Sequence, residues 1–349
     1  MHFASADLSK VIFIFAVGSI LIASEAIAQD ELTIELDEEI PLNEELRATS
    51  DQVEGIFIRL DEGFVHSDEQ AIVAIVYNDE GEQKAELGSR GDRSYEYAAI
   101  MDMYAHDDEI YLIAKDGRRL TFGLDGEEIR QIDFVEENYR KFEGTNDQIY
   151  ALPSNPEDET ALYHFEIGEL NRVSTDEQGE VTREDRWLRN IPFAGGMVAE
   201  DEQVFWVNPA TTEIFHYASG MDEPESHPFD VSENWRDVPM EASEEEIQED
   251  PSLLAEFIRN RSVVNGLYDL GDNWLVEIGH NHDNTLELIV LEDDFEKQGS
   301  VILPDETFST EQFGQRIRMA DESGIYFYNE TINDDGEVEK LLSRWKLSR

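Results

Sequence analysis

Short runs rich in aromatic and β-branched residues, followed by runs that alternate apolar and polar positions, recur along this chain between acidic or glycine-containing turns. Side chains two apart on an extended strand share a face, so the pattern predicts strands and not helices. The clearest stretch follows the acidic turn His106-Asp107-Asp108-Glu109. The strand Ile110-Tyr111-Leu112-Ile113-Ala114 leads through Lys115-Asp116-Gly117 to a strand over 118–123. A second turn, Leu124-Asp125-Gly126-Glu127, leads to a strand over 128–134. Asp-Gly between alternating runs is a strong hairpin signal, because glycine supplies the positive φ that tight hairpin turns require.

The unit recurs. Copies aligned on that first strand begin at Phe64-Val65, Gln148–Leu152, Gln203–Val207, Asn273–Glu277 and Gly324–Tyr328. Their further strands are expected at 71–77 and 83–87, at 161–167 and 169–174, at 213–218, at 286–291 and 299–303, and at 338–347. The aligned aromatics Phe64, Tyr111, Tyr150, Trp206, Trp274 and Tyr326 are expected to pack between units. Six radially arranged units of four antiparallel strands make an all-β, six-bladed β-propeller. The last copy leaves no room for a fourth strand, while Glu31–Leu36 alternates near the N-terminus, so this segment is expected to close the last blade. Between Glu223 and Ser262 the strand rhythm is absent. Ser243-Glu244-Glu245-Glu246 has the form of a capping box, Asp250-Pro251 reads as a second cap with proline at the first helical position, and Leu253, Leu254, Phe257 and Ile258 share a helical face. A short helical insertion over about 240–261 is expected on a face or the rim of the disc.

The first residues read as a targeting segment. Lys10 precedes an apolar run from Val11 to Ala23, and Ala26-Ile27-Ala28 fits a signal-peptidase site with Gln29 as the first mature residue. The run is shorter than the roughly 20 residues that span a bilayer. Cleavage after residue 28 leaves residues 29–349 as the propeller, periplasmic or extracellular, with no membrane span. There is no cysteine, so stability rests on the core alone.

Charge changes the picture most. The chain has 81 Asp and Glu against 26 Lys and Arg, a formal net charge of −55. The acids are spread along the whole length, which is not the pattern of an acidic tail. Repulsion on this scale is relieved in concentrated salt, where the screening length falls to about 3 Å at 1 M. A chain adapted to high salt is the economical reading; a surface for a cationic partner, or for many weakly held divalent ions, is the competing one. Nucleic acid is disfavoured as a partner by the same field.

One segment carries a family resemblance. Gly88-Ser89-Arg90-Gly91-Asp92-Arg93-Ser94-Tyr95-Glu96-Tyr97 is similar to the glycine-rich linker of six-bladed propellers of the NHL and TolB-like type, matching at Gly88, Arg90, Gly91, Glu96 and Tyr97. Arg93, Ser94 and Tyr95 replace the Gly-Pro-Gly centre of that linker. The strand-turn-strand unit over 110–122 and the tail Gly123–Glu127 also resemble that family. The resemblance implies a six-bladed disc with a central channel, exported in many bacterial members. It implies no activity, since propellers host binding modules, lyases and hydrolases alike.

Candidate ligand-binding residues are few. Arg90, Arg93 and His106 lie near the connection between the first two blades, where a basic group in so acidic a chain suits an anionic ligand. His280 and His282 in Gly279-His280-Asn281-His282-Asp283-Asn284 are suited chemically to a metal, but a third ligand is missing from the loop, and a plain exposed hairpin is expected. The turns Asn78–Gly81 and Asn333–Gly336 lack the calcium-loop register. No nucleophile-base pairing shows in any known register, so no catalytic residue, metal or cofactor is expected. The expected function is non-catalytic binding of a protein, peptide or glycan by a monomer. A hydrolase or lyase with a channel-mouth site, with or without a metal, is the alternative.

Overall fold

Strands with apolar residues on both faces must be covered on both sides, and a ring of radially stacked sheets does this for every blade at once. The computed structural model describes residues 32–42, 55–68, 73–91, 94–97, 99–133, 139–155, 157–167, 173–189, 194–200, 202–304, 317–332 and 338–348. They form six four-stranded antiparallel sheets. Blade I holds Gly55–Arg59, Phe64–Asp68, Ala74–Tyr77 and Gln83–Leu87. Blade II holds Ile100–His106, Glu109–Ala114, Arg118–Gly123 and Glu128–Asp133. Blade III holds Tyr139–Gly144, Gln148–Pro153, Thr160–Ile167 and Val173–Glu180. Blade IV holds Gly196–Glu200, Gln203–Val207, Glu213–Ala218 and Glu225–Pro228. Blade V holds Ser262–Asp269, Asn273–His280, Thr285–Glu292 and Lys297–Pro304. Blade VI holds Ile317–Asp321, Gly324–Ile332 and Val338–Ser348, and takes Thr33–Pro41 as its outermost strand.

The core is divided among the seams. One apolar cluster joins blades I and II, and others join II to III, III to IV, IV to V, V to VI and VI back to I. The first strands of neighbouring blades lie against one another in the same cyclic order, and surround the axis. All six aligned aromatics are buried in these seams, as expected of packing residues. Each blade thus buries both faces against its neighbours, which is the reason the ring must close.

Closure follows the expected route. Thr33 pairs with Ser348, Ile34 with Leu347 and Pro41 with Leu341 in antiparallel register. Asp37 accepts from Arg344 Nε at 2.9 Å and from Lys346 Nζ at 2.8 Å, and Glu38 lies 2.8 Å from Arg344. Arg59 donates across the VI–I seam to Asp321 at 2.6 Å and, within its own hairpin, to the Gly63 carbonyl at 2.6 Å. Gly63, with φ +104°, is required here, because a Cβ would stand 2.0 Å from the Tyr77 carbonyl oxygen.

Several elements differ from the sequence reading. The strand aligned as first in each repeat is the second in each blade. The true first strands break alternation because four of them carry a bulge, at Ile100/Asp102, Tyr139/Lys141, Val264/Gly266 and Ile317/Met319. One extra residue moves every later side chain to the other face, which erases a period-two signal. The stretch after Glu223 is not free of strands, since Glu225–Pro228 pairs with Glu213–His216. The helical insertion is present as α2 (Glu244–Glu249), with its capping box at Ser243 and Glu246, and α3 (Ser252–Arg259). Pro251 precedes the first helical residue instead of occupying it, and Asp250 accepts from the Ser252 N–H at 3.0 Å. A further helix, α1 (Arg183–Leu188), is capped by Thr182 and packs with α2 and α3 in a separate apolar cluster around Trp187, Leu188, Ile247 and Phe257.

Candidate functional site

In every blade the hairpin joining the first and second strands opens on one face of the disc, and each of these turns carries acid. The residues are Asp61 and Glu62, Asp107 and Asp108, Asp147, Glu202, Asp272, and Glu322. The turns of blades II, III and IV border an open cavity of about 1070 Å³, lined among others by His106, Asp107, Glu109, Asn146, Asp147 and Glu202, with Gln203 at its edge. The lining is braced from below. Arg119, fully buried, donates to the carbonyls of Thr145 at 3.2 Å and Asn146 at 2.8 Å and to Tyr104 Oη at 3.2 Å. Its guanidinium also lies over the Tyr111 ring, 4.9 Å from the centroid. Tyr111 Oη donates to Glu109 at 2.6 Å, and Tyr150 Oη contacts Gln148 at 2.9 Å. The carboxylates and carboxamides at this surface therefore stand on a fixed floor.

The strands around the axis carry a second group of charges. Asp102 accepts from the Phe142 N–H of the next blade at 2.6 Å and from Met103 N–H at 2.9 Å. Burial raises its carboxyl to about 6 against the pull of Lys141 and the two N–H groups. Glu143 is pushed up to about 8, first by burial and then by Asp102, again against Lys141. Two carboxyls near one amine in a shielded site hold a proton at neutral pH.

Among the described residues selected from the sequence, His106 lies in blade II and His280 in blade V. Ser89–Arg90 pairs in parallel with Glu96–Tyr97 in the connection between blades I and II. The Arg90 side chain and all of Arg93 lie outside the described residues. Tyr97 fixes this connection, donating to the Leu87 carbonyl at 2.6 Å and accepting from Ala74 N–H at 3.1 Å. His106 is not in that connection but at the far end of the following strand, about 20 Å away at ~3.3 Å per residue. It borders the acidic cavity, with Nε2 3.6 Å from Asp107.

His280 is not on an exposed hairpin. It is fully buried, with Nδ1 2.7 Å from Ser262 Oγ and Nε2 3.0 Å from Glu287 Oε2. Glu287, also fully buried, is held below the ordinary glutamate range by its bonds from His280 and Ser232, despite desolvation. His282 lies 5.9 Å from it, ring to ring, and desolvation lowers its pKa. This Ser-His-Glu chain escaped the sequence because its members come from three strands of blade V. Its geometry is that of a nucleophile with an oriented base, yet Ser262 is sealed. The backbone of Ser262 donates to the Arg236 carbonyl at 2.9 Å, and its Oγ accepts from Arg236 N–H at 3.0 Å, so the loop leading to α2 lies directly upon it.

The sequence matches no family model and no curated protein. Likeness to known structures is in the fold. A member of the DUF4221 family from Bacteroides vulgatus superposes with a TM-score of 0.64 at 10% identity, covering 92% of this chain and 100% of that one. A protein from Bacteroides fragilis, provisionally described as exported, superposes with a TM-score of 0.63 at 12% identity, covering 90% of this chain and 96% of that one. At such identities the likeness extends to the six-bladed architecture alone. No helix among the described residues is long and apolar enough to cross a membrane.

Proposed function

We propose that this chain is an exported, non-catalytic propeller, of the NHL and TolB-like type and monomeric, that binds a protein, peptide or glycan partner on its acidic face in a salt-rich medium. The observation that carries the reading is the braced cavity of about 1070 Å³ across blades II to IV, rich in carboxylate and carboxamide acceptors. In molar salt, long-range attraction is screened, so recognition rests on direct hydrogen bonds from the partner's ammonium, guanidinium, amide or hydroxyl groups. The signal-like segment at residues 1–28 supports export, as does the provisional description of the Bacteroides fragilis neighbour.

The Ser262–His280–Glu287 chain supports the second reading, a hydrolase. Its full burial under the Ser232–Asp237 loop favours a structural role. The two readings separate in one series. Lysine- and arginine-rich peptides, neutral peptides and neutral oligosaccharides are titrated calorimetrically at molar NaCl into the wild type and an Asp107→Asn/Glu202→Gln variant. Saturable binding that weakens about tenfold or more in the variant is expected. Absence of binding in all three classes, or covalent labelling of Ser262 by a fluorophosphonate, would sink the binding reading.

A further inference from the structure

Blade IV ends in a short strand, Glu225–Pro228, whose pairing sets His216 opposite Glu225 and Ile214 opposite His227. Glu225 and His227 are two apart, so both share the face of the sheet that carries His216. One ligand atom from each of the three side chains lies within 4.8 Å of the other two. Both rings are set by aromatic neighbours. His216 stacks on Phe205, centroids 4.7 Å apart and 12° between planes, and His227 lies 4.7 Å from Phe295 of blade V. Gln203 Oε1 sits 3.2 Å from His216 Nε2, which makes that nitrogen the donor and leaves the lone pair at Nδ1. A hydrogen bond to the non-ligating nitrogen is the usual second partner of a metal-bound histidine.

We propose that His216, Glu225 and His227 form a binding site for a divalent transition-metal ion, Zn²⁺ being the reference case. Two imidazoles and one carboxylate are the donor set that suits zinc and its neighbours, and not the all-oxygen set of calcium or magnesium. Donors bound tetrahedrally at 2.0–2.2 Å stand about 3.4 Å apart, a separation that three side chains already within 4.8 Å of one another reach by small rotations. Glu225 is exposed and both histidines are half-buried, which leaves a coordination position open to water or to a group from outside. In a chain of 81 acids, hard cations are drawn to carboxylates everywhere, and a two-imidazole site is the device that selects a softer ion. Gln203 also borders the acidic cavity, so the bound ion would stand at the edge of the proposed partner surface without depending on it.

The test is Zn²⁺ titration by calorimetry into the mature chain at molar NaCl with excess Mg²⁺, which occupies non-specific carboxylates. One equivalent is expected to bind saturably, with the affinity falling at least about tenfold in His216→Ala and in His227→Ala. Thermal melts without metal check that both variants fold. Co²⁺ loading gives an independent signature, a visible ligand-field band that disappears in both variants. Absence of a one-equivalent isotherm, or unchanged affinity in both folded histidine variants, overturns the proposal. Either result leaves the test of partner binding unaffected.

Discussion

Glu143 shows how a single residue couples this fold to proton concentration. Folded, its carboxyl is pushed up to about 8 by burial and by Asp102; unfolded, it returns to the ordinary value of 4.5. Between those values the native chain keeps a proton that the unfolded chain releases, so stability falls as pH rises through that window. Glu143→Gln mimics the protonated side chain. It is expected to melt at a higher temperature than the parent at about pH 8.5 and to match it near pH 4.5, read by circular dichroism. An equal shift at both values would place the effect in packing instead of ionisation. Asp37 works with the opposite sign. Hydrogen bonds from Lys346 and Arg344 hold it below the usual aspartate range, so its contribution is present above 3.8 and is lost as pH falls through the folded value. Acid thus loosens the closing strand while it spares the axis.

Among the elements, the closing strand carries the largest expectation. Deleting residues 32–42 leaves Val338–Ser348 as an unpaired edge and uncovers Leu342 and the V–VI and VI–I seams. The truncated chain is expected to melt well below the parent and to associate through the bare edge, measured by light scattering during a thermal ramp. This element and the order of blades were legible in the sequence, because the second strands are compact runs of aromatic and β-branched residues and acidic or Asp-Gly turns mark their ends. The first strands were not, since bulges in four of them invert the pattern midway and polar residues such as Lys141 and Glu143 interrupt it. Helix α1 was hidden for lack of length, although Thr182 and Asp185 form a cap that a closer reading of the connection could have found. The candidate sites were the least legible. His216 and His227 lie on neighbouring strands, and Ser262, His280 and Glu287 on three, so pairing register and not spacing unites them.

At the scale of the whole molecule, a large excess of acid is set against few cations. Acids crowd the turns of the disc face. Several of the few cations are spent inside or at seams, with Arg119 bracing blade II against III, Arg59 joining I to VI, and Arg189 tying α1 to the Asp158 and Thr160 carbonyls. The surface is left with little to neutralise it. Screening then matters more than pairing, and the melting temperature is expected to climb steadily from about 0.1 M to 2 M NaCl. A flat profile over that range would remove the case for adaptation to salt.

The pairing of Thr33 with Ser348 has one more consequence, for the order of assembly. These partners are separated by 315 positions in sequence, so a growing chain has no counterpart for Thr33–Pro41 until all the other blade strands have been made. Through that interval blades I to V stand as an arc with two bare flanks, and the final hairpin must find the waiting strand before either flank is covered. Ring completion is therefore expected to be a late step, and damage to either of these two strands unlocks the same blade.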